Sequence, residues 1–244
     1  MSLKISIIYG STRDGRLGIR FAKYLTKEFI NRDIKAVLID PLDMNIETLT
    51  KRYNDYDKDT APKELENIHQ ELDSSDAFVI VSAEYNHFMP PALVNLLNHF
   101  YIEYQRKPSA VATYSVSPFG GVRVSSPLRS FLAQLGMPPI SAMIHAPFVN
   151  KNFNDDGERI SDDKDERHKE FIKFAEEIEW SDADSFKKKC ETIKESYFGK
   201  KEEVKDKLDD VAAGDEPSNE DLSKAMAAYT AAISKTKDIK LSNS

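Results

Sequence analysis

Between Lys4 and His145, short apolar, β-branched runs alternate with longer segments of helical period, a pattern that a parallel sheet wrapped by helices satisfies. The runs are Lys4 to Tyr9, Ile34 to Asp40, Ala77 to Ser82, Ser109 to Tyr114 and Ile140 to His145. The first and third are apolar on both faces, as central strands of such a sheet must be. The pattern therefore predicts an α/β fold: a doubly wound, five-stranded parallel sheet with helices on both faces.

The helices are read from four stripes. Leu17, Phe21, Leu25 and Phe29 recur at four-residue spacing and predict a first helix ending near Asn31. Pro90 and Pro91 open a second, where a missing amide costs nothing, and Leu93, Leu96, Leu97 and Phe100 form its apolar face. Leu128, Phe131, Leu132 and Leu135 form a third, closed by Gly136 and stopped by Pro138-Pro139. A fourth runs from Arg167 to about Trp180 with Phe171, Phe174, Ala175 and Ile178 inward. The polar stretch from Pro41 to Pro62 predicts a long loop leading into a helix that starts near Pro62.

After Trp180 the composition shifts to Lys, Asp, Glu, Ser and Ala, with a break at Gly214 to Ser218 and too few large apolar residues for a core of its own. This divides the chain into a domain over 1–180 and a charged extension over 181–244, helical or disordered, with amphipathic pieces at Ser185 to Tyr197 and Asn219 to Ser234. The net charge of −7 opposes attraction to a polyphosphate backbone, so nucleic acid is excluded as a partner. No apolar stretch approaches the roughly 20 residues needed to span a bilayer, and the N-terminus does not read as a signal peptide. With Cys190 its one cysteine, and histidines without ligand spacing, the chain reads as a cytoplasmic protein with neither disulfides nor a metal centre.

Two loops carry chemistry. Gly10-Ser11-Thr12-Arg13-Asp14-Gly15-Arg16-Leu17-Gly18 joins the first strand to the first helix at the carboxyl edge of the sheet, where doubly wound folds bind ligands. Helix amides, the hydroxyls of Ser11 and Thr12, and the guanidinium groups of Arg13 and Arg16 suit a phosphate. The spacing excludes a P-loop and the Gly-x-Gly-x-x-Gly dinucleotide fingerprint. Taken alone, the loop is equally compatible with an ordinary strand-to-helix turn. At the end of the third strand, Glu84-Tyr85-Asn86-His87 precedes the helix opened by Pro90-Pro91, so backbone amides and Asn86 can meet the polar edge of a planar ring that Tyr85 covers. Ser115-Val116-Ser117-Pro118-Phe119-Gly120-Gly121, after the fourth strand, can close the other side.

Over about residues 3 to 180 the chain resembles the NADPH-dependent FMN reductases, which include quinone and azo-dye reductases. The resemblance rests on Gly10 to Arg13, Glu84-Tyr85-Asn86 with Pro90 and Leu93 to Asn95, and Gly120-Gly121 leading to Arg123 and Leu128-Arg129. It implies a flavodoxin-like fold, non-covalent FMN, NADPH or NADH as electron donor, a small-molecule acceptor and a homodimer with the flavin near the interface. By that resemblance Ser11, Arg13 and Gly18 hold the phosphate, Glu84 to His87 the ring edge, and Ser115 to Gly121 the remaining side. The chain departs from the family at Ala83, where proline is usual, and at Gly18, where a hydroxyl residue often stands.

The function implied is passage of hydride from a nicotinamide to bound FMN and then to a quinone, azo compound or free flavin, with no side-chain acid or base required. A flavin-binding interaction or redox-sensing protein, with the extension recruiting a partner, is the competing reading. His145 reads as a satisfied histidine in a loop, Cys190 as non-catalytic, and Trp180 as a cap of the last helix against the core.

Overall fold

The computed structural model of the chain describes residues 3–160 and 164–181, with side chains over 170–178 in the second stretch. Five strands, β1 (Lys4–Tyr9), β2 (Lys35–Ile39), β3 (Ala77–Ala83), β4 (Ser109–Tyr114) and β5 (Pro139–Ala146), form a parallel sheet in the order β2-β1-β3-β4-β5. That order is flavodoxin-like and places the topological switch between β1 and β3, where Ile7 lies beside Val79 on one side and Leu38 on the other.

Each strand coincides with its predicted run to within a few residues. Ile34 falls outside β2 because its amide still closes the turn after the first helix, donating to the Phe29 carbonyl at 3.1 Å. β4 joins β3 as a strand buried throughout, although Ser109 and Thr113 interrupt its apolar run. Both hydroxyls are satisfied in place: Ser109 donates to the Met137 carbonyl at 3.0 Å and Thr113 to the Gly120 carbonyl at 2.7 Å.

The helices are α1 (Gly18–Ile30), α2 (Lys63–Asp73), α3 (Pro91–Asn98), α4 (Ser125–Gln134), α5 (Val149–Asn152) and α6 (Lys164–Ser181). On one face of the sheet, Phe21, Leu25 and Phe29 of α1 pack with Phe171 and Phe174 of α6 over Ile7, Val79 and Ala112. On the other, Ile68, Leu72, Leu93, Leu97, Leu128 and Leu132 of α2, α3 and α4 cover Ile8, Ile80 and Val111. Each of the large side chains among these contributes about 1.5–3 kcal/mol by leaving water. α3 stops before Phe100, which is buried beyond its last turn, and four-residue α5 is too short to leave a periodic signal in sequence.

The loop over 41–62 contains one 3-10 turn, Tyr53–Asp55. Asn95 on α3 holds it, accepting the Leu49 amide at 2.8 Å and donating to the Glu47 carbonyl at 2.8 Å. The amphipathic pieces, Cys190 and the rest of the extension from residue 182 lie outside the described residues, as does the side chain of Trp180. Among the described residues no helix is long and apolar enough to cross a membrane.

α6 is fastened to the sheet edge by Glu177. Its carboxylate accepts the amides of Ser141 at 2.6 Å and Ala142 at 3.0 Å, and the Ser141 hydroxyl, where the pairing of β5 with β4 is irregular. Burial works against the charge, but these hydrogen bonds outweigh it and hold the carboxyl below its ordinary value. A lowered folded-state pKa means that the contribution is full above the ordinary glutamate value of about 4.3 and fades as pH falls through the folded one. Glu177→Ala is expected to lower stability by about 1 kcal/mol at neutral pH in urea unfolding, a deficit that shrinks toward pH 3. An equal deficit at both pH values contradicts the assignment.

Candidate functional site

The carboxyl ends of β1, β3 and β4 open on a cleft of about 360 Å³, walled by the loops that follow these strands. On the first wall, the amide of Gly10 donates to the Val81 carbonyl of β3 at 3.0 Å, starting the loop at the switch point. α1 then begins at Gly18 with no side-chain cap at Leu17 and no acidic residue in its first turn. Its first amides and positive dipole end are therefore available to an anion. Ser11 is buried and Arg13 exposed, and both line the cleft.

Arg16 has another task. Its guanidinium grips both carboxylate oxygens of Asp40 at the end of β2, with Nη2 to Oδ2 at 2.6 Å, while Nη1 also donates to the Ser11 carbonyl at 2.8 Å. The same group lies 5.3 Å from the centroid of the Tyr9 ring. Arg16 thus clamps the loop to the strand next to it, with most of its charge matched by Asp40.

The second wall is a two-residue hairpin. Tyr85 and Phe88 exchange backbone hydrogen bonds at 2.9 and 3.0 Å, and Asn86 and His87 at its tip have φ of 52° and 63°. Both central residues at positive φ form the hairpin turn that asparagine tolerates well. Glu84, just before it, accepts the amide of Arg123 at 2.9 Å, and Arg123 lies over the Phe119 ring at 4.8 Å. This carboxylate ties the second wall to the segment entering α4.

In the third wall Ser115 and Ser117 bond to one another at 2.9 Å. Gly121 has a φ of 74°, and a Cβ there would stand 2.8 Å from the Tyr114 carbonyl oxygen, so the loop can return to β4 only at glycine.

Beneath the first loop lies a cluster of hydroxyls. Tyr9 and Tyr114 bond at 3.0 Å, as do Ser11 and Tyr85. Burial is the main reason both Tyr9 and Tyr114 titrate above the ordinary phenol value, so their hydroxyls keep their protons at neutral pH. A small cleft offering helix amides, hydroxyls and an exposed guanidinium beside an aromatic ring fits a phosphate ester carrying a planar group.

The profile of the NADPH-dependent FMN reductases matches residues 3–151. The chain belongs to that family. It is 25% identical over 158 residues to an NAD(P)H-dependent FMN reductase of Saccharomyces cerevisiae, covering 58% of this chain and 79% of the relative. Its fold is shared by FerB, a flavoenzyme NAD(P)H:(acceptor) oxidoreductase from Paracoccus denitrificans, at 19% identity and a TM-score of 0.60, over 73% of this chain and 97% of that one. The apo form of the NADH:FMN oxidoreductase EmoB follows at 14% identity and a TM-score of 0.53, over 72% and 89%. A profile of the T4-phage like capsid assembly scaffolding protein family matches residues 158–233, most of which lie outside the described residues.

In this FMN reductase family member the cleft gathers Ser11, Arg13, Arg16, Gly18, Glu84, Tyr85, Ser115 and Val116 from the residues singled out in sequence. Thr12, Asn86, His87, Ser117, Gly120 and Gly121 lie outside its lining. Arg16 is a brace, where the sequence predicts a phosphate ligand, and Glu84 spends one oxygen on Arg123. Tyr114 and Val149 line the cleft without a prior signal. An aromatic residue ending a central strand opposite Gly18 is a hint for the first; nothing in the sequence marks the second. His145 is satisfied as expected, but within β5 and not in a loop: Thr113 Oγ1, donating to Gly120, accepts from its Nδ1 at 2.7 Å.

Asp40→Ala strands a largely buried guanidinium and is expected to cost about 3 kcal/mol in chemical denaturation. Arg16→Lys should recover little of the pair's contribution, since an ammonium cannot span both oxygens. Wild-type stability in Asp40→Ala would show that the clamp contributes nothing.

Proposed function

We propose that this chain binds FMN with its phosphate in the loop 10–18 and uses it to pass hydride from NADPH or NADH to a small-molecule acceptor, a quinone, an azo compound or a free flavin. The observation that carries the reading is the convergence of the uncapped α1 N-terminus, Ser11 and Arg13 in one cleft with Tyr85 and the loop from Ser115. Family membership supports the oxidoreductase class.

In this reading the amides left free between Thr12 and Gly18, with the Ser11 hydroxyl and the Arg13 side chain, bind the phosphate. The turn at Asn86-His87 offers the amides for the ring edge, since both lack a partner among the described residues. Ser115 and Val116 close the opposite side, with Ser117, Gly120 and Gly121 shaping that loop from behind. When bound, FMN supplies the two-electron chemistry, taking hydride from the nicotinamide and passing electrons to the acceptor. The protein's residues hold, orient and shield; Arg16 and Glu84 fix the walls so that little reorganisation accompanies binding.

The loops joined by the Glu84 to Arg123 bond carry Phe88, Val116, Phe119 and Val122 exposed to solvent. An apolar rim at the mouth of a cleft suits a second copy of the chain, giving a homodimer that shelters the site. Residues 1–180 carry the activity, and the extension over 181–244 is dispensable for it.

Purified protein is expected to be yellow, to release FMN on denaturation and to oxidise NAD(P)H in the presence of a quinone. A colourless preparation that fails to bind added FMN overturns the proposal, and flavin-loaded protein without turnover favours a binding role. Arg13→Ala should weaken FMN about tenfold, and equal affinity refutes its phosphate contact. Truncation after Trp180 should leave turnover unchanged, and Phe119→Asp should shift the sedimentation mass from dimer to monomer.

A further inference from the structure

The cleft holds one polar aromatic residue that the proposed function has not used. Tyr114 ends β4, is buried, and lines the cleft beside Gly18, the first residue of α1. A Cβ on Gly18 would lie 1.9 Å from Tyr114 Cζ and 2.1 Å from Cε2, so the phenol occupies the space that any side chain at position 18 would need. Position 18 therefore has no side-chain donor of its own, and a phenol from β4, two strands from β1, stands in that place.

The hydroxyls behind it are arranged to give protons away. Tyr114, Tyr9, Ser11 and Tyr85 each carry one; Tyr9 pairs with Tyr114 and Ser11 with Tyr85, either hydroxyl of each pair able to donate, and Ser11 also interacts with Tyr9 and Tyr114. Tyr114, Ser11 and Tyr85 all line the cleft. A phosphate oxyanion accepts more strongly than another hydroxyl, so a proton shared within this cluster can turn toward it. Tyr9, buried under the Arg16 clamp, holds the Tyr114 hydroxyl at this end of the cleft.

We propose that Tyr114 takes over from the missing side chain at position 18 as a donor to the cofactor's phosphate, and so selects a flavin bearing a terminal phosphomonoester over the unphosphorylated flavin. This rests on the FMN reading above and adds to it a residue and a selectivity.

The test is titration of the full chain with FMN and with riboflavin, followed by flavin fluorescence, for wild type and Tyr114→Phe. Loss of one hydrogen bond to a charged group should weaken FMN about tenfold while leaving riboflavin unchanged. Inorganic phosphate should displace FMN from the wild type at lower concentrations than it inhibits riboflavin binding. Unchanged FMN affinity in Tyr114→Phe, or an equal loss for both flavins, overturns the role. A double-mutant cycle guards against a merely distorted fold: Gly18→Ala should weaken FMN in the wild-type background and add little to Tyr114→Ala, because the two positions share one space. Additive losses overturn the shared-space argument. Wild type that binds neither flavin refutes the FMN reading itself, whereas wild type that binds FMN with an unaffected Tyr114→Phe refutes only the part given to Tyr114.

Discussion

Parallel pairing of β1 with β3, each buried on both faces, sets the terms for the rest of the molecule. Because β2 lies on the far side of β1, the chain reverses its direction of winding there, and the loops after β1 and β3 diverge to opposite faces of the sheet. The gap between them is a consequence of topology, present before any residue in it is chosen. The hydrogen bond from Gly10 to Val81 shows how closely the first loop departs from the strand beside it.

Charge is distributed in that gap with some economy. Arg13 and Arg16 lie three residues apart, and the sequence treats them alike. In the fold, Arg16 turns to Asp40 and the Ser11 carbonyl, and its charge becomes part of the scaffold. Arg13 stays exposed at the cleft, where a ligand's anion can meet it. Glu84 follows the same logic on the second wall, where its carboxylate engages the Arg123 amide. Of the carboxylates close to this anion site, Asp40 and Glu84 each have a partner that offsets their repulsion, while Asp14 lines the cleft as well.

The hydroxyl cluster completes the site in a different currency. Tyr9 and Tyr114 come from the ends of two strands and Ser11 and Tyr85 from two loops, and burial keeps the two inner phenols protonated. Neutral donors that stay neutral can face a phosphate without the desolvation cost of a further buried cation. Membership of the NADPH-dependent FMN reductase family fits a cleft of this composition.

Strand positions, the helices with an apolar stripe and the location of both principal loops were legible in the sequence by itself, because each depends on periodicity or on the chemistry of neighbouring residues. The family was legible through the resemblance carried by Gly10 to Arg13 and Glu84 to Asn86. What only the tertiary structure decided are the partners: Arg16 with Asp40, Glu84 with Arg123, Tyr114 with Gly18, Asn95 with the loop at Glu47 and Leu49. Each joins residues brought together by crossovers between strands, and a side chain's role in a site follows from which neighbour reaches it first. Local pattern carries no record of that competition, so the sequence could name the donors around the cleft but not divide them into those that brace it and those left free for a ligand.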